Sequence, residues 1–265
     1  MALLLLVLGG GYVAVGNYLA SSRVSSAESA IASIHKIDFT TTISEIGGGF
    51  NIFGFQSPSD AKAFQTAVQQ FVASVGTDST NIAADAAKAK KARNRLDDQA
   101  WLTLFNQGSR GAAATRVGHA EQALVSGAQI AEQLQQDGQF FHAYAASLVD
   151  FANYGAAVDA NDATGEVAPI EQAKSDLAIA LTLVNGPGLP TDLPEFITSL
   201  QAVANDIVKA IFTSDQAGYD AALKQITIDE TALGTIDTSG FDASILAFYH
   251  PLIATYEREL QQASD

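Results

Sequence analysis

The stretch VGHAEQALVSGAQIAEQLQQDGQFFHAYAASLVDFANYG, residues 117–155, decides the fold class. Val117, Ala120, Leu124, Gly127, Ala131, Leu134, Gly138, Phe141, Ala145, Leu148, Ala152 and Gly155 keep an alternating three–four spacing along it. That spacing places one continuous stripe on an α-helix and suits no strand. Glycine and alanine at most stripe positions predict neighbouring helices at close approach, with Phe140, Tyr144, Phe151 and Tyr154 filling the adjoining space. An aromatic stripe at helical spacing reads as core rather than as a cofactor pocket. Asp137-Gly138 resembles a stop signal, yet the register passes through it. The stretch therefore predicts either one helix over about 111–160, roughly 75 Å long, or two helices broken at Gly138.

Helical spacing continues on both sides. Ser59 or Asp60 can cap a helix lined by Ala61, Phe64, Val68, Phe71 and Val75, with Gly76 as its expected end. A second helix is expected from about Thr80 to Asn106, buried at its end by Leu96, Trp101, Leu104 and Phe105. Further stripes run through Ile170, Leu177, Leu181 and Val184, through Phe196, Leu200, Val203, Ile207 and Ile211, and through Tyr219, Leu223, Ile226 and Leu233. The last, Ile245, Tyr249, Leu252, Tyr256 and Leu260, contains Pro251, where a kink is expected. NGPGLPTDLP at 185–194 is a Gly/Pro turn or linker. Strand signals are too few for a sheet. The expected fold is all-α: an N-terminal transmembrane helix and stalk, then an antiparallel multi-helix bundle. The expected segments are 1–22 (membrane anchor or uncleaved signal), 23–58 (stalk helix and Gly/Phe-rich loop) and 59–185 (first helical segment). A linker at 186–194 and a C-terminal helical segment at 195–265 follow, the latter packed on the first as one domain.

The anchor is read from MALLLLVLGGGYVAVGNYLASS at the N-terminus. Ala2–Ala20 holds one polar side chain, Asn17, and has the length a membrane-spanning helix needs. A secretory signal has a shorter apolar run and a small-residue cleavage site, which Ala2–Leu8 and Ala20-Ser21-Ser22 could supply. Helical spacing continues past Ser22 through Val24, Ala27, Ile31 and Ile34, which favours a retained span running into a stalk. Leu4, Leu6, Val7, Gly10, Val13 and Tyr18 are its candidate membrane residues. The expected placement is a single-pass membrane protein with its domain outside the cytoplasm, although Arg23 and Lys36 after the span argue the other way.

Composition excludes several classes. Cysteine is absent, so disulfides, thiolate metal sites and cysteine nucleophiles are ruled out. Net charge is −15 and unevenly spread: residues 1–116 carry 10 basic and 8 acidic groups, residues 117–265 carry 4 and 21. No nucleic-acid partner is expected of such a surface. The four histidines have no ligand-spaced partners, so no metal site, cofactor or catalytic residue is assigned. DANDATGE at 159–166 departs from a calcium loop at Ala163 and Thr164 and reads as a helix–helix turn.

Two features point to partners. KAKKARNR gathers Lys88, Lys90, Lys91, Arg93 and Arg95 within eight positions, with Arg110 and Arg116 as possible extensions. This is either a solvated or internally paired helix face or a dock for an acidic partner or an anionic membrane surface. The glycine-rich stretch around Phe50, Phe53 and Phe55 is either a plug under the helices or an exposed contact patch. The expected function is a non-enzymatic, membrane-anchored accessory or scaffold subunit of a larger membrane or envelope assembly. Its expected partners are other membrane-protein subunits and, through the N-terminal helix, the lipid bilayer. The alternative is an extracytoplasmic ligand-binding or sensor bundle, with its ligand near Phe140–Tyr154.

Overall fold

The computed structural model describes the backbone of residues 2–47, 58–98, 105–233, 236 and 241–265. Side chains are described for these except 2–12, 45–47, 58, 230, 232, 241 and 242. Among the described residues the chain is all-helical: α1 (Ala2–Ala32), α2 (Phe39–Gly47), α3 (Pro58–Asp97), α4 (Gln107–Asp159), α5 (Val167–Leu183), α6 (Leu193–Phe212), α7 (Gln216–Leu233) and α8 (Phe241–Ser264).

The 117–155 stripe forms one helix. α4 runs unbroken for 53 residues, a span of about 80 Å. Every stripe position from Val117 to Ala145 is buried, and the stripe fades to half-buried from Leu148. Its glycines are sites of close approach. A Cβ on Gly127 would lie 3.1 Å from the Tyr256 ring, and one on Gly138 would lie 3.0 Å from Val72 and 3.1 Å from Phe71.

Gly76 does not end a helix, contrary to expectation. α3 continues for 40 residues, from Pro58 to Asp97. The buried positions Val75, Ile82, Asp85, Ala89, Ala92 and Leu96 carry the register across the glycine. A single mid-helix glycine costs only about 1 kcal/mol, less than a continuous buried face returns. Within the segment 23–58, expected as a stalk helix and a Gly/Phe-rich loop, Phe39–Gly47 forms a separate short helix, α2. Asp38 caps it, accepting from the Thr41 backbone N–H at 3.0 Å and the Thr41 hydroxyl at 2.7 Å. Phe39 and Ile43 on this helix are buried.

The chain forms two compact units, and α3, α4 and α8 contribute residues to both. The first unit comprises Met1–Ile37, Thr77–Ala131 and Pro251–Asp265, and the second Asp38–Gly76 and Glu132–His250. The charge asymmetry follows this division. The first unit has 10 basic and 9 acidic residues, the second 4 and 20.

In the first unit, Val24 and Ala27 of α1 pack with Ala92 and Leu96 of α3 and Ala113 and Val117 of α4. The N-terminal membrane span expected from the sequence is not supported. Among the described residues no helix is long and apolar enough to cross a membrane, so the single-pass placement is not supported. Residues 13–32 of α1 present Gly16, Ala20, Val24 and Ala27 as a narrow buried seam of small residues, the pattern of a packed helix. Polar groups occupy much of the rest, including Asn17, Ser21, Ser22, Arg23, Ser25, Ser26 and Glu28. The supposed stalk is the same continuous helix, packed rather than free-standing.

In the second unit Phe140 and Tyr144 of the aromatic stripe are core, while Phe151 and Tyr154 are only half-buried. The Tyr144 ring stacks on Phe140 at 5.9 Å and meets Phe64 and Phe196 edge-on at 6.4 and 6.3 Å. Phe64, Phe140 and Tyr144 are almost wholly buried. Each such ring contributes about 2–3 kcal/mol by burial. α5 packs on α6, and α6 on α7.

Candidate functional site

The basic run lies on the last three turns of α3, in the first unit. Burial separates its members. Ala89, Ala92 and Leu96 face the core, which turns Lys88, Lys90, Lys91 and Arg95 outward. Two of the five cations are satisfied within the chain. Lys88 Nζ donates to Asp85 Oδ1 at 2.8 Å. Arg93 donates to Glu121 at 3.2 Å and lies 3.7 Å from Asp97. Among the described residues no acid pairs with Lys90, Lys91 or Arg95.

These three line one shallow cleft of about 670 Å³ with Ala87, Asn94, Asp97 and Asp98. Its two acids are already engaged, Asp97 by Arg93 and Asp98 by Arg23. The uncommitted side chains are therefore three cations and the Asn94 amide. An amide beside cations supplies further donors to an anionic group.

Arg110 and Arg116, candidates for extending this face, are used elsewhere. Arg110 is buried and donates to the Leu96 carbonyl. Arg23 of α1 donates to the Arg95 carbonyl at 2.9 Å and to the Asp98 carbonyl. The last carbonyls of α3, which have no helical partner, are thus capped by two guanidinium groups, and both complement the negative end of the helix dipole. Sequence reasoning took Arg23 for a membrane-flanking charge, because nothing local marks a capping arginine 72 residues from its acceptor. Arg116 pairs with Glu28 at 2.8 Å.

A second polar centre fixes the connector after α1. Asp85, buried on α3, accepts from the His35 backbone N–H at 2.8 Å and lies 2.8 Å from His35 Nδ1. Burial alone would raise the Asp85 pKa. The His35 amide, Lys88 and the His35 ring outweigh that and hold it below the ordinary value. The Ile37 N–H donates to the Tyr256 hydroxyl at 3.2 Å, and that hydroxyl donates to the His35 carbonyl at 3.4 Å. His119 Nδ1 lies 2.8 Å from Glu259, which Arg258 also contacts at 3.2 Å.

Among the described residues the second unit buries two acids, Asp206, which pairs with Lys209, and Asp137. Asp137 is 1% exposed. The Tyr249 hydroxyl donates to its Oδ2 at 2.6 Å, and its Oδ1 has no hydrogen-bond partner. Burial pushes its pKa to about 6, against the opposing effects of Tyr249 and the Gly188 amide. At 159–166 the chain makes the expected polar turn. Asp162 Oδ1 accepts from the Gly165 N–H at 3.0 Å and the Thr164 hydroxyl at 2.8 Å. Among the described residues no group of three or more His, Cys, Asp or Glu could hold a metal.

The remaining candidates are scattered. Val13 and Tyr18 on α1 are exposed, 48% and 74%. The side chains of Leu4, Leu6, Val7 and Gly10 lie outside the described residues, as do Phe50, Phe53 and Phe55. No protein-family model, curated protein or solved structure matches this chain.

Proposed function

We propose that this chain is a non-enzymatic helical docking module, an accessory or scaffold subunit whose α3 face receives an acidic segment of a partner protein. One observation carries the reading. Lys90, Lys91 and Arg95 share a cleft and lack acid partners, while Lys88 and Arg93 beside them are paired. The unit that carries them has 10 basic and 9 acidic residues, so these cations stand apart from the acidic excess of the second unit. Such a cluster steers an acidic partner by attraction that salt screens.

The surrounding scaffold suits this role. The α3 terminus is capped by Arg23 and Arg110, and its inner face is buried, so the cations project from a fixed element. A preorganised face loses less freedom on binding. Binding of a fluorescently labelled Glu-rich peptide to the full chain, read by anisotropy, tests the proposal. Saturable binding that disappears in K90E/K91E/R95E supports it. Equal signals from both proteins would reduce the face to ordinary solvated surface.

A further inference from the structure

A separate cleft of about 360 Å³ lies in the first unit, where the end of α1, the connector at 34–36, α4 and the end of α8 meet. Ile31, Ile34 and Leu260 give it an apolar lining, and Lys36, Arg116 and Glu28 stand at it as charged groups. Glu28 and Arg116 neutralise each other at 2.8 Å. Lys36 is exposed and takes part in no ion pair among the described residues. The uncommitted chemistry of the cleft is therefore an apolar surface with one unpaired positive charge, Lys36, and one free donor, the buried Nε–H of Arg116, which has no hydrogen-bond partner among the described residues.

We infer that this cleft binds a small aliphatic monocarboxylate, its chain against Ile31, Ile34 and Leu260 and its carboxylate on the Lys36 ammonium. Three features select that class. The single unpaired cation matches one negative charge, and a second anionic group would meet Glu28. The volume lies at the lower end of small-molecule sites, which suits a short to medium chain. The wall bearing Ile34 and Lys36 is also held in place before any ligand arrives. Asp85 holds the His35 amide between them, and Tyr256 takes the Ile37 amide beyond. A wall pinned by hydrogen bonds from α3 and α8 need not be ordered on binding.

Calorimetric titration of the full chain with octanoate, octylammonium and octanol tests the inference. Octanoate is expected to bind saturably with one site, octylammonium not at all, and octanol about tenfold more weakly than octanoate, since it lacks the charge-assisted contact. Lys36→Glu, at an exposed unpaired position, should abolish octanoate binding with an unchanged circular dichroism spectrum. Leu260→Glu should do the same through the apolar wall. K90E/K91E/R95E should bind octanoate like the wild type, which separates this site from the α3 face. Absence of octanoate binding, equal binding of all three compounds, or octanoate binding that survives both Lys36→Glu and Leu260→Glu would overturn it.

Discussion

Asp85 holds His35 at two points. Its Oδ2 lies 2.8 Å from the His35 backbone nitrogen and 2.8 Å from the ring Nδ1, fifty positions away in sequence. With Tyr256 on the Ile37 amide, this single carboxylate sets the path of the chain as it leaves α1.

Removing that carboxylate should be expensive. Asp85→Ala strands the His35 amide and leaves Lys88 unpaired, and the expected loss is about 2–3 kcal/mol in chemical denaturation. Tyr256→Phe, which removes one hydroxyl and keeps the ring, should cost about 1 kcal/mol. Amide exchange at His35 and Ile37 should accelerate in the respective variants. Unchanged exchange would show that the connector is held by something else.

The buried acids give opposite pH dependences. Asp85 sits below its ordinary value, so its contribution is complete above about 3.8 and is lost as pH falls below that. Asp137 sits near 6 in the folded chain against 3.8 in an ordinary carboxyl group. The folded state therefore keeps the Asp137 proton where the unfolded state has released it. That contribution is present below 3.8 and lost as pH rises through about 6. Asp150, raised to about 6 by burial first and by the neighbouring Asp176 charge second, has the same sign. Asp137→Asn should accordingly stabilise the protein by about 1–3 kcal/mol at pH 7.5, with the gain shrinking at pH 4. Thermal melts of both proteins across this range check it.

Two glycines should respond in opposite ways to alanine. A Cβ on Gly188 would lie 2.6 Å from the Tyr249 ring and 2.7 Å from Asp137 Oδ2, so Gly188→Ala forces the 186–188 turn off the buried acid. The expected loss is on the order of 2 kcal/mol. A Cβ on Gly76 meets nothing within 4 Å and sits mid-helix in α3. Gly76→Ala should therefore stabilise by about 0.5–1 kcal/mol. A loss at Gly76 would contradict the unbroken α3 helix.

The capping arginines predict a graded effect. Arg110→Ala removes a buried donor to the Leu96 carbonyl and should cost about 2–3 kcal/mol, read by denaturant titration. Arg23→Ala should cost less, because its acceptors lie at a more exposed site.

Periodicity made most of the helices legible. The α4 stripe is buried from Val117 to Ala145, and Ile170, Leu177, Phe196, Val203 and Ile207 of the α5 and α6 stripes are buried. Leu181, Leu200 and Ile211 are only half-buried, while Ala173, Ala180, Ile197, Ala204 and Ala210, outside the expected stripes, are buried. Stop signals were less informative. Gly76 and Gly138 both look like breakers in a local window, yet the buried residues on either side of each keep a single register. Residues 2–20 fitted a membrane span on hydropathy alone. What that measure cannot register is that Ala20, Val24 and Ala27 form a packing seam. α7 is the converse case. Its stripe residues Tyr219 and Leu223 are exposed at 41% and 43%, with Ala222 the buried one. The basic run was visible at once, but which of its cations stay unpaired depends on Asp85, Asp97 and Glu121. Only the fold brings Glu121 to Arg93.

The most decisive test of the α3 face is the affinity of the full chain for a Glu-rich peptide at two salt concentrations. It should be measured for the wild type, for K90E/K91E/R95E and for the charge-conserving K90R/K91R/R95K. The expected result is binding by the wild type and the conserving variant that weakens as salt rises from 50 to 200 mM, and none by the reversal variant. These concentrations span about a twofold change in screening length. Binding that ignores salt, or that persists in the reversal variant, would show that these three cations do not dock an acidic partner.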